Sequence, residues 1–175
     1  MQSFYSHGKL LISAEYAVLD GALALALPTK FGQFLSVEST TKNTLFWKSI
    51  SNVGTVWFEA EFMIDASLKI FTPNTSAIAV RLVQVLEALQ QLNPTLFEAH
   101  KGYALTSTLE FPENWGLGSS STLINNLAQW AQVDAFELLA LTFGGSGFDI
   151  ACAQHDSGIL YQLEEGKPTL KPVVF

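Results

Sequence analysis

The sequence predicts an α+β domain, and three observations carry that prediction. The chain has 175 residues, of which 49% are hydrophobic and only 14% are charged, so it contains enough apolar material for one complete core. Most strand-like segments come early and pair as hairpins. Helical segments come later and alternate with strands irregularly. A regular alternation of strands and helices would instead indicate a doubly wound parallel sheet, so the irregular order favours α+β.

The first half of the chain is predicted to be mostly β-structure. Apolar runs and alternating segments are separated by turn signals such as Asp20-Gly21. Residues 45–48 and 55–62 are rich in β-branched and aromatic residues. They flank residues 51–54, Ser-Asn-Val-Gly, and this arrangement predicts a hairpin. Residues 15–19 resemble a short helical turn. The predicted strands are residues 4–12, 23–27, 33–38, 45–48 and 55–62.

A long helix is predicted next. Either Asn74 or Thr75 could cap it, and Asn93-Pro94 ends it after about Leu92. Its apolar residues recur at helical spacing, which predicts one buried face. The residues of this face are Ile78, Leu82, Val85, Leu86 and Leu89.

The rest of the chain mixes helices with strands. A helix is predicted to begin after Gly118 and to run to about Gln132, and the helix after it has Asp134 as its cap. A loop of small residues, 144–147, leads to a third helix. The remaining predictions are helices at residues 135–141 and 148–155 and strands at residues 103–109, 159–163 and 170–175.

Composition and charge exclude several classes of protein. Nine Lys and Arg residues stand against sixteen Asp and Glu, and the net charge of −7 disfavours a broad nucleic-acid-binding surface, which needs clustered cations. The single cysteine, Cys152, allows no internal disulfide and fits a reducing compartment. The N-terminus lacks a signal-peptide pattern, and the longest apolar run, residues 22–28, is too short to span a bilayer. We therefore expect a cytoplasmic protein with no nucleic-acid or membrane partner.

Residues 114–130, NWGLGSSSTLINNLAQW, contain the strongest functional signal. Gly116 and Gly118 bracket one leucine, and four hydroxyl residues follow at the start of a helical pattern. Glycines let the backbone approach a ligand closely, and the free amides and positive dipole of a helix start attract an anion. A serine here can also ligate the Mg²⁺ that accompanies a nucleotide. The alternative is an ordinary capped helix, for which one serine suffices.

Three better-known patterns do not fit this stretch. A Walker A loop has Lys after its last glycine, where this chain has Ser119. A Rossmann fingerprint needs a third glycine at the position of Ser121. The G-x-S-x-G elbow of the hydrolases is absent.

Three further stretches contain residues that could carry chemistry. Lys9 begins an apolar run, where lysine rarely stands without a partner, although an edge-strand lysine that reaches solvent is the alternative. Glu15 stands at a strand-to-helix junction, where a lone carboxylate is usually a solvated cap. Asp149 is the one charged residue among small and apolar neighbours, and such a carboxylate is costly to bury unless it is paired or functional. A helix cap is the alternative for Asp149.

Taken together and in this order, these stretches resemble the GHMP kinase superfamily, which includes galactokinase, homoserine kinase, mevalonate kinase and phosphomevalonate kinase. GKLLISAEYAVLDG resembles the first motif of that family, PENWGLGSSST the second, and GSGFDIACA the segment with the catalytic aspartate. The resemblance runs from about residue 4 to residue 163. The motif sequences are most similar to those of the mevalonate and phosphomevalonate kinase branch. It implies the N-terminal domain of the family, a ribosomal-protein-S5-domain-2-like fold with a left-handed βαβ crossover.

The resemblance also implies a role for each matched residue, with ATP and Mg²⁺ as cofactors and a hydroxyl or phosphate of a mevalonate-like small molecule as acceptor. Asp149 would be the general base for a substrate hydroxyl, Lys9 would lie beside it, and Ser120 would ligate Mg²⁺. The ATP phosphates would be held by Gly116, Leu117, Gly118, Ser119, Ser120 and Ser121, and the substrate by Glu15, Tyr16, Ser146 and Gly147.

These implied roles agree with the chemistry of phosphoryl transfer, which depends on a positioned hydroxyl and neutralised charge more than on covalent catalysis. A carboxylate within hydrogen-bond reach can take the hydroxyl proton. We expect charge pairing with Lys9 to keep Asp149 ionised.

The chain departs from the family pattern at several positions. Ala14 stands where the first motif usually has glycine, and Ser121 replaces the usual alanine. Mevalonate kinases have a Mg²⁺-binding glutamate at the position of Leu138, and Glu137 is one place out of register. Phosphomevalonate kinases also lack that glutamate, so this departure favours their branch.

The length of the chain is a further departure. Members of the family are much longer and have a C-terminal domain with a third glycine-rich motif, which does not occur after Gly147. We therefore expect residues 1–175 to be the N-terminal ATP-binding domain alone and to turn over slowly. The surface that the second domain covers in the family can drive formation of a homo-oligomer.

Two other functions are compatible with the same fold. One is a non-catalytic nucleotide-binding or interaction module, against which the presence of Lys9, Ser120 and Asp149 argues. The other is a structural domain of the ribosomal kind, which would have a basic surface and therefore conflicts with the net charge of −7.

Overall fold

The computed structural model describes residues 1–65, 67–97 and 101–173, and it places their strands in one sheet. The sheet order is β5-β4-β3-β6-β2-β7-β8, and β1 pairs with β2. The strands are β1 Gln2–Leu11, β2 Ala24–Thr40, β3 Thr44–Ile50, β4 Val56–Ile64, β5 Ile70–Phe71, β6 Gly102–Leu109, β7 Ile159–Glu164 and β8 Lys167–Pro172. The helices are α1 Ala77–Leu92, α2 Ser119–Ala131, α3 Ala135–Thr142 and α4 Phe148–Ala153, and 3₁₀ turns span Ala17–Asp20 and Glu113–Trp115.

The sheet is mostly antiparallel, which confirms the α+β prediction. The one parallel pair between described strands joins β3 to β6, and the chain between them passes through β4, β5 and α1. The handedness of this crossover stays a prediction. The hairpin of β3 and β4 is confirmed, with Thr44 opposite Met63 at its open end.

Two predicted strands are in fact one. The segments at residues 23–27 and 33–38 belong to the 17-residue strand β2, which pairs with β1, β6 and β7. Pro28 cannot donate a ladder hydrogen bond, and it lies opposite Lys9, where the register of β1 shifts. This irregularity lets the proline remain inside a strand. β5 has only two residues and left no signal in the sequence.

The caps and faces of the helices differ in detail from the prediction. Ser76, and not Asn74 or Thr75, caps α1, and its Oγ accepts a hydrogen bond from the Ala79 amide at 3.2 Å. Ile78 was predicted to be buried but is 41% exposed. Asp134 caps α3 as predicted, since its carboxylate accepts from the amides of the first turn.

The apolar interior has two parts. The larger cluster lies between the sheet and helices α1, α2 and α3, and it includes Trp47, Phe62 and Leu86. The smaller one joins α4 to β2 and β7 through Cys152 and Tyr161. α4 therefore packs near one end of the sheet.

No helix among the described residues is long and apolar enough to cross a membrane. The last strand was predicted at residues 170–175, whereas β8 spans Lys167–Pro172. Residues 174 and 175 of the predicted strand lie outside the described part of the chain.

Candidate functional site

The glycine-rich segment forms a turn that opens directly into α2. Gly116 and Gly118 both adopt the left-handed backbone conformation, with φ of 68° and 82°, and Gly118 is the N-cap of the helix. The first helical hydrogen bond runs from the Thr122 amide to the Gly118 carbonyl at 3.0 Å. The amides of residues 119–121 therefore precede the first intrahelical bond and lie at the positive end of the helix dipole.

The four hydroxyl residues divide into an outer and an inner pair. Ser120 is exposed and Ser119 is partly exposed, so their hydroxyls lie at the mouth of the helix. Ser121 is 2% exposed, and its Oγ donates to the Gly118 carbonyl at 3.0 Å. The Thr122 Oγ1 donates to the buried Gln33 side chain at 2.5 Å. The inner hydroxyls stabilise the turn, and Ser121 can offer a ligand only its amide.

Strand β1 is tied to this turn at Lys9. The Lys9 amide donates to the Leu117 carbonyl at 2.9 Å. A Cβ at Gly118 would lie 3.1 Å from the Lys9 Cγ and 2.7 Å from the Ser121 Oγ. The second glycine of the turn is therefore required both by its backbone conformation and by close contact with Lys9.

A cleft of about 260 Å³ brings several of the sequence-predicted residues together. Lys9 and Asp149 both line it, although they are 140 positions apart in the chain. The other predicted substrate residues on its wall are Glu15, Tyr16 and Ser146. Gly147 is the N-cap of α4, the helix that carries Asp149 in its first turn.

Lys9 and Asp149 line the same cleft without a direct ion pair between them, and the expected charge pairing stays a prediction. The Lys9 Nζ lies 5.2 Å from the centre of the Phe148 ring, and the Asp149 carboxylate accepts from the Ile150 amide at 3.2 Å. The one ion pair between described residues joins His7 to Asp156 at 3.0 Å. A lysine ammonium group held over an aromatic face is attracted to the ring.

Asp149 acts on the buried groups behind it. Burial, followed by the negative charge of Asp149, raises the pKa of the Cys152 thiol to about 12, and the charge of Lys9 opposes this shift. Burial and then Asp149 likewise raise the pKa of Tyr161 to about 12. The Tyr161 hydroxyl donates to the Ser146 carbonyl and thereby fixes the loop before α4. A second negative charge is therefore disfavoured beside Asp149.

These shifts predict a loss of stability in base. The thiol of the unfolded chain ionises near pH 9.0, whereas the folded protein keeps its Cys152 proton up to about 12. The unfolded state thus binds fewer protons in this window, so the free energy of unfolding falls as the pH rises. We expect Cys152→Ala to flatten the decline of Tm between pH 9 and 11 relative to the parent protein, as measured by calorimetry. Equal slopes for the two proteins would contradict the assignment, and slopes below pH 8 serve as the control.

A second cavity, of about 320 Å³, adjoins the turn on its other side. Ser119 and Ser120 stand among its lining residues, and its apolar wall includes Trp47 and Trp57. Arg81 lies in it with its guanidinium carbon 5.1 Å from the centre of the Phe143 ring. No sequence motif pointed to this cavity. The one sequence feature that could have indicated the cavity was Ile78. This apolar residue of α1 lines the cavity and is not buried in the core.

The departures from the family pattern have structural counterparts. Ala14 adopts φ of 63°, a left-handed conformation that glycine takes without strain, and Tyr16 does the same. Leu138 is fully buried, and Glu137 is exposed in the first turn of α3. No group of three His, Cys, Asp or Glu residues in the described part of the chain could hold a metal.

Comparisons with known proteins identify the fold. No family model matches the chain, and no curated protein matches its sequence. Among solved structures, the mevalonate kinase of Methanococcus jannaschii superposes with a TM-score of 0.72 at 12% identity, over 99% of this chain and 56% of that one. L. major mevalonate kinase in complex with R-mevalonate gives 0.67 at 18% identity, over 100% of this chain and 53% of that one.

A third neighbour is Streptococcus pneumoniae phosphomevalonate kinase in complex with phosphomevalonate and AMPPNP. Its TM-score is 0.65 at 18% identity, and the match covers 93% of this chain and 50% of that one. The structural neighbours are thus GHMP kinases, which confirms the resemblance at the level of the fold. The chain spans about half the length of the neighbours that it matches.

Proposed function

We propose that this chain is the N-terminal, nucleotide-binding domain of a small-molecule kinase that uses ATP and Mg²⁺ to phosphorylate a mevalonate-like metabolite. The observation that carries the proposal is the link that Lys9 makes between two groups. Its amide is bonded to the turn that leads to the free amides of α2, and its side chain lines the same cleft as the Asp149 carboxylate. An anion site, a cation and a carboxylate at a cleft are the elements that phosphoryl transfer requires.

We assign one of the two cavities to the phosphate donor and the other to the acceptor. The amides of residues 119–121 would hold the ATP phosphates, and the apolar cavity with Trp57 and Phe143 would take the base. Ser120 is the exposed hydroxyl at the helix start and would contribute an oxygen to Mg²⁺, which neutralises phosphate charge when bound. The cleft with Asp149 would take the acceptor.

The proposed reaction is a direct transfer. The acceptor oxygen forms a bond to the γ-phosphorus as the bond to the ADP oxygen breaks, and the hydroxyl proton passes to Asp149. Lys9, held over Phe148, supplies positive charge beside the transferred group. Asp149 then returns the proton to solvent.

The charges of the cleft favour a hydroxyl over a phosphate as the accepting group. One cation, Lys9, faces two carboxylates, Glu15 and Asp149. A phosphate placed between these carboxylates would be repelled, whereas a neutral hydroxyl can donate a hydrogen bond to Asp149. Neighbours of this fold are complexed with R-mevalonate and with phosphomevalonate, and these two compounds are the first acceptors to compare.

The acceptor is expected to need contacts from outside this chain, and turnover by residues 1–175 alone is expected to be low. Leu19, which lines the acceptor cleft, is 55% exposed, and Leu10, Ile12 and Leu23 nearby in the sequence are 48–55% exposed. We propose that this surface is covered in the active protein, by a further domain or by a second copy.

Ligand-induced stabilisation tests the nucleotide site. We expect ATP with Mg²⁺ to raise Tm by several degrees at saturating concentration, because a ligand at 100 times its Kd stabilises the folded state by about 2.7 kcal/mol. Ser120→Ala should remove the part of the shift that depends on Mg²⁺ and keep the part seen with ATP and EDTA.

The absence of any shift up to millimolar ATP would contradict the proposed nucleotide site. The same assay with mevalonate, phosphomevalonate, homoserine and sugars, each with ATP and Mg²⁺, identifies the acceptor. A shift with phosphomevalonate and none with mevalonate would contradict the preference for a hydroxyl that is argued from the cleft charges.

A further inference from the structure

A chain of buried hydrogen bonds crosses the protein behind the proposed site. The Gln154 Nε2 donates to the Asn125 Oδ1 at 2.9 Å, and the Asn125 Nδ2 donates to the Ser6 Oγ at 2.9 Å. The Ser6 Oγ donates to the Asn126 Oδ1 at 2.8 Å, and the Asn126 Nδ2 donates to the Gln33 carbonyl at 2.8 Å. Every donor points the same way, so each bond polarises the next.

The middle of this chain has no access to water. Ser6 and Asn126 are fully buried, and Asn125 is 1% exposed. No buried side-chain nitrogen or oxygen in the described residues lacks a partner. Loss of one link would leave a buried polar group unpaired, which costs more than the bond itself contributes. The geometry of the chain is therefore strongly specified.

Asn125 joins the three elements that carry the proposed chemistry. It belongs to α2, whose first turn offers the free amides. Its donor reaches Ser6 on β1, three residues before Lys9, and its acceptor receives Gln154, the C-cap of the helix that carries Asp149. α4 has only six residues, and a helix this short has no stability of its own. Its position depends on the contacts at its two ends and on packing.

We propose that Gln154 is a positioning residue that fixes α4, and with it Asp149, against α2 and β1 through Asn125. Its side chain reaches from the surface into the buried network, so it holds the end of α4 without contributing to the core. The consequence for phosphoryl transfer rests on the proposed function. The consequence for the position of α4 does not.

The rate at which the single cysteine is labelled measures how often α4 opens. Cys152 lies on α4 and is fully buried, so a thiol reagent such as DTNB reaches it only when the helix opens. Gln154→Met removes one hydrogen bond at an exposed position and keeps the length of the side chain. We expect it to raise the labelling rate by at least about fivefold, because the buried Asn125 Oδ1 loses its donor and the cost exceeds that of one net hydrogen bond.

Gln129→Met is the matched control. Gln129 is also exposed and also donates into the network, to the Tyr5 carbonyl at 3.3 Å and to Ser6 at 3.4 Å, but it belongs to α2. Its loss should change the labelling rate less than twofold. Equal labelling of both variants, or no change in either, would overturn the proposal.

The affinity for nucleotide distinguishes a local effect of Gln154 on α4 from a general destabilisation that also reaches α2. Because the phosphates are assigned to α2, Gln154→Met should leave the Kd for ATP with Mg²⁺, measured by calorimetry, within twofold of the parent. In any turnover assay kcat should fall with KM for ATP unchanged. A tenfold weaker Kd together with faster labelling would overturn the positioning role. If the parent binds no ATP, the proposed function fails, and the labelling rates still decide whether Gln154 holds α4.

Discussion

Asp149→Asn is expected to lower the rate of phosphoryl transfer by about 10²–10⁴-fold, the usual contribution of a positioned general base. Asparagine keeps the size of the side chain, and its oxygen can still accept from the Ile150 amide. It cannot take a proton from the acceptor hydroxyl. The amides of α2 and Ser120 are unchanged, so the affinity for ATP with Mg²⁺ should stay within about twofold. Steady-state kinetics of the protein with the acceptor found by thermal shift, together with calorimetry of nucleotide binding, measure both quantities.

Asp134→Asn is the control for this prediction. Asp134 is an exposed aspartate that caps α3, and asparagine is an equally good cap, so turnover should be unaffected. Unchanged turnover in Asp149→Asn would remove the carboxylate from the mechanism.

Features that depend on near neighbours in the chain could be predicted from the sequence. Asp134 caps α3 because its carboxylate meets amides two and three residues further on. The turn at Gly116 and Gly118 and the helix after it likewise follow from local backbone chemistry. The departure at Ala14 was visible as well, although only the structure gives its left-handed φ of 63°.

Features that depend on distant partners could not be predicted from the sequence. β2 runs through Pro28 because β1 is irregular at the facing position, which no local pattern reveals. Thr122 looked like one of four ligand hydroxyls, but it donates to Gln33, 89 residues away. Lys9 was expected to pair with Asp149, and the Phe148 ring, adjacent to that aspartate, lies under the ammonium group. Such partners are fixed by packing in three dimensions and not by spacing along the chain.

Gly118→Ala is expected to destabilise the protein by about 3 kcal/mol and to abolish measurable nucleotide binding. A residue with a Cβ in the left-handed conformation costs about 1–2 kcal/mol, and the contacts at 2.7 Å with Ser121 and 3.1 Å with Lys9 add overpacking strain of similar size. Relief of that strain must displace the Ser121 side chain, the Lys9 side chain or the start of α2. The free amides, Lys9 and the Leu117 carbonyl would then lose the arrangement on which the anion site depends.

Gly116→Ala separates backbone strain from steric overlap as causes of the loss. Gly116 has a similar φ of 68°, but nothing lies within 4 Å of the added Cβ. We expect it to cost only the backbone strain, about 1 kcal/mol, and to weaken nucleotide binding less than tenfold. Chemical denaturation and calorimetry with ATP and Mg²⁺ compare the two variants. Equal losses at both glycines would mean that the turn needs only its left-handed residues. A larger loss at Gly118 would mean that the close packing of this glycine against Ser121 and Lys9 is also needed.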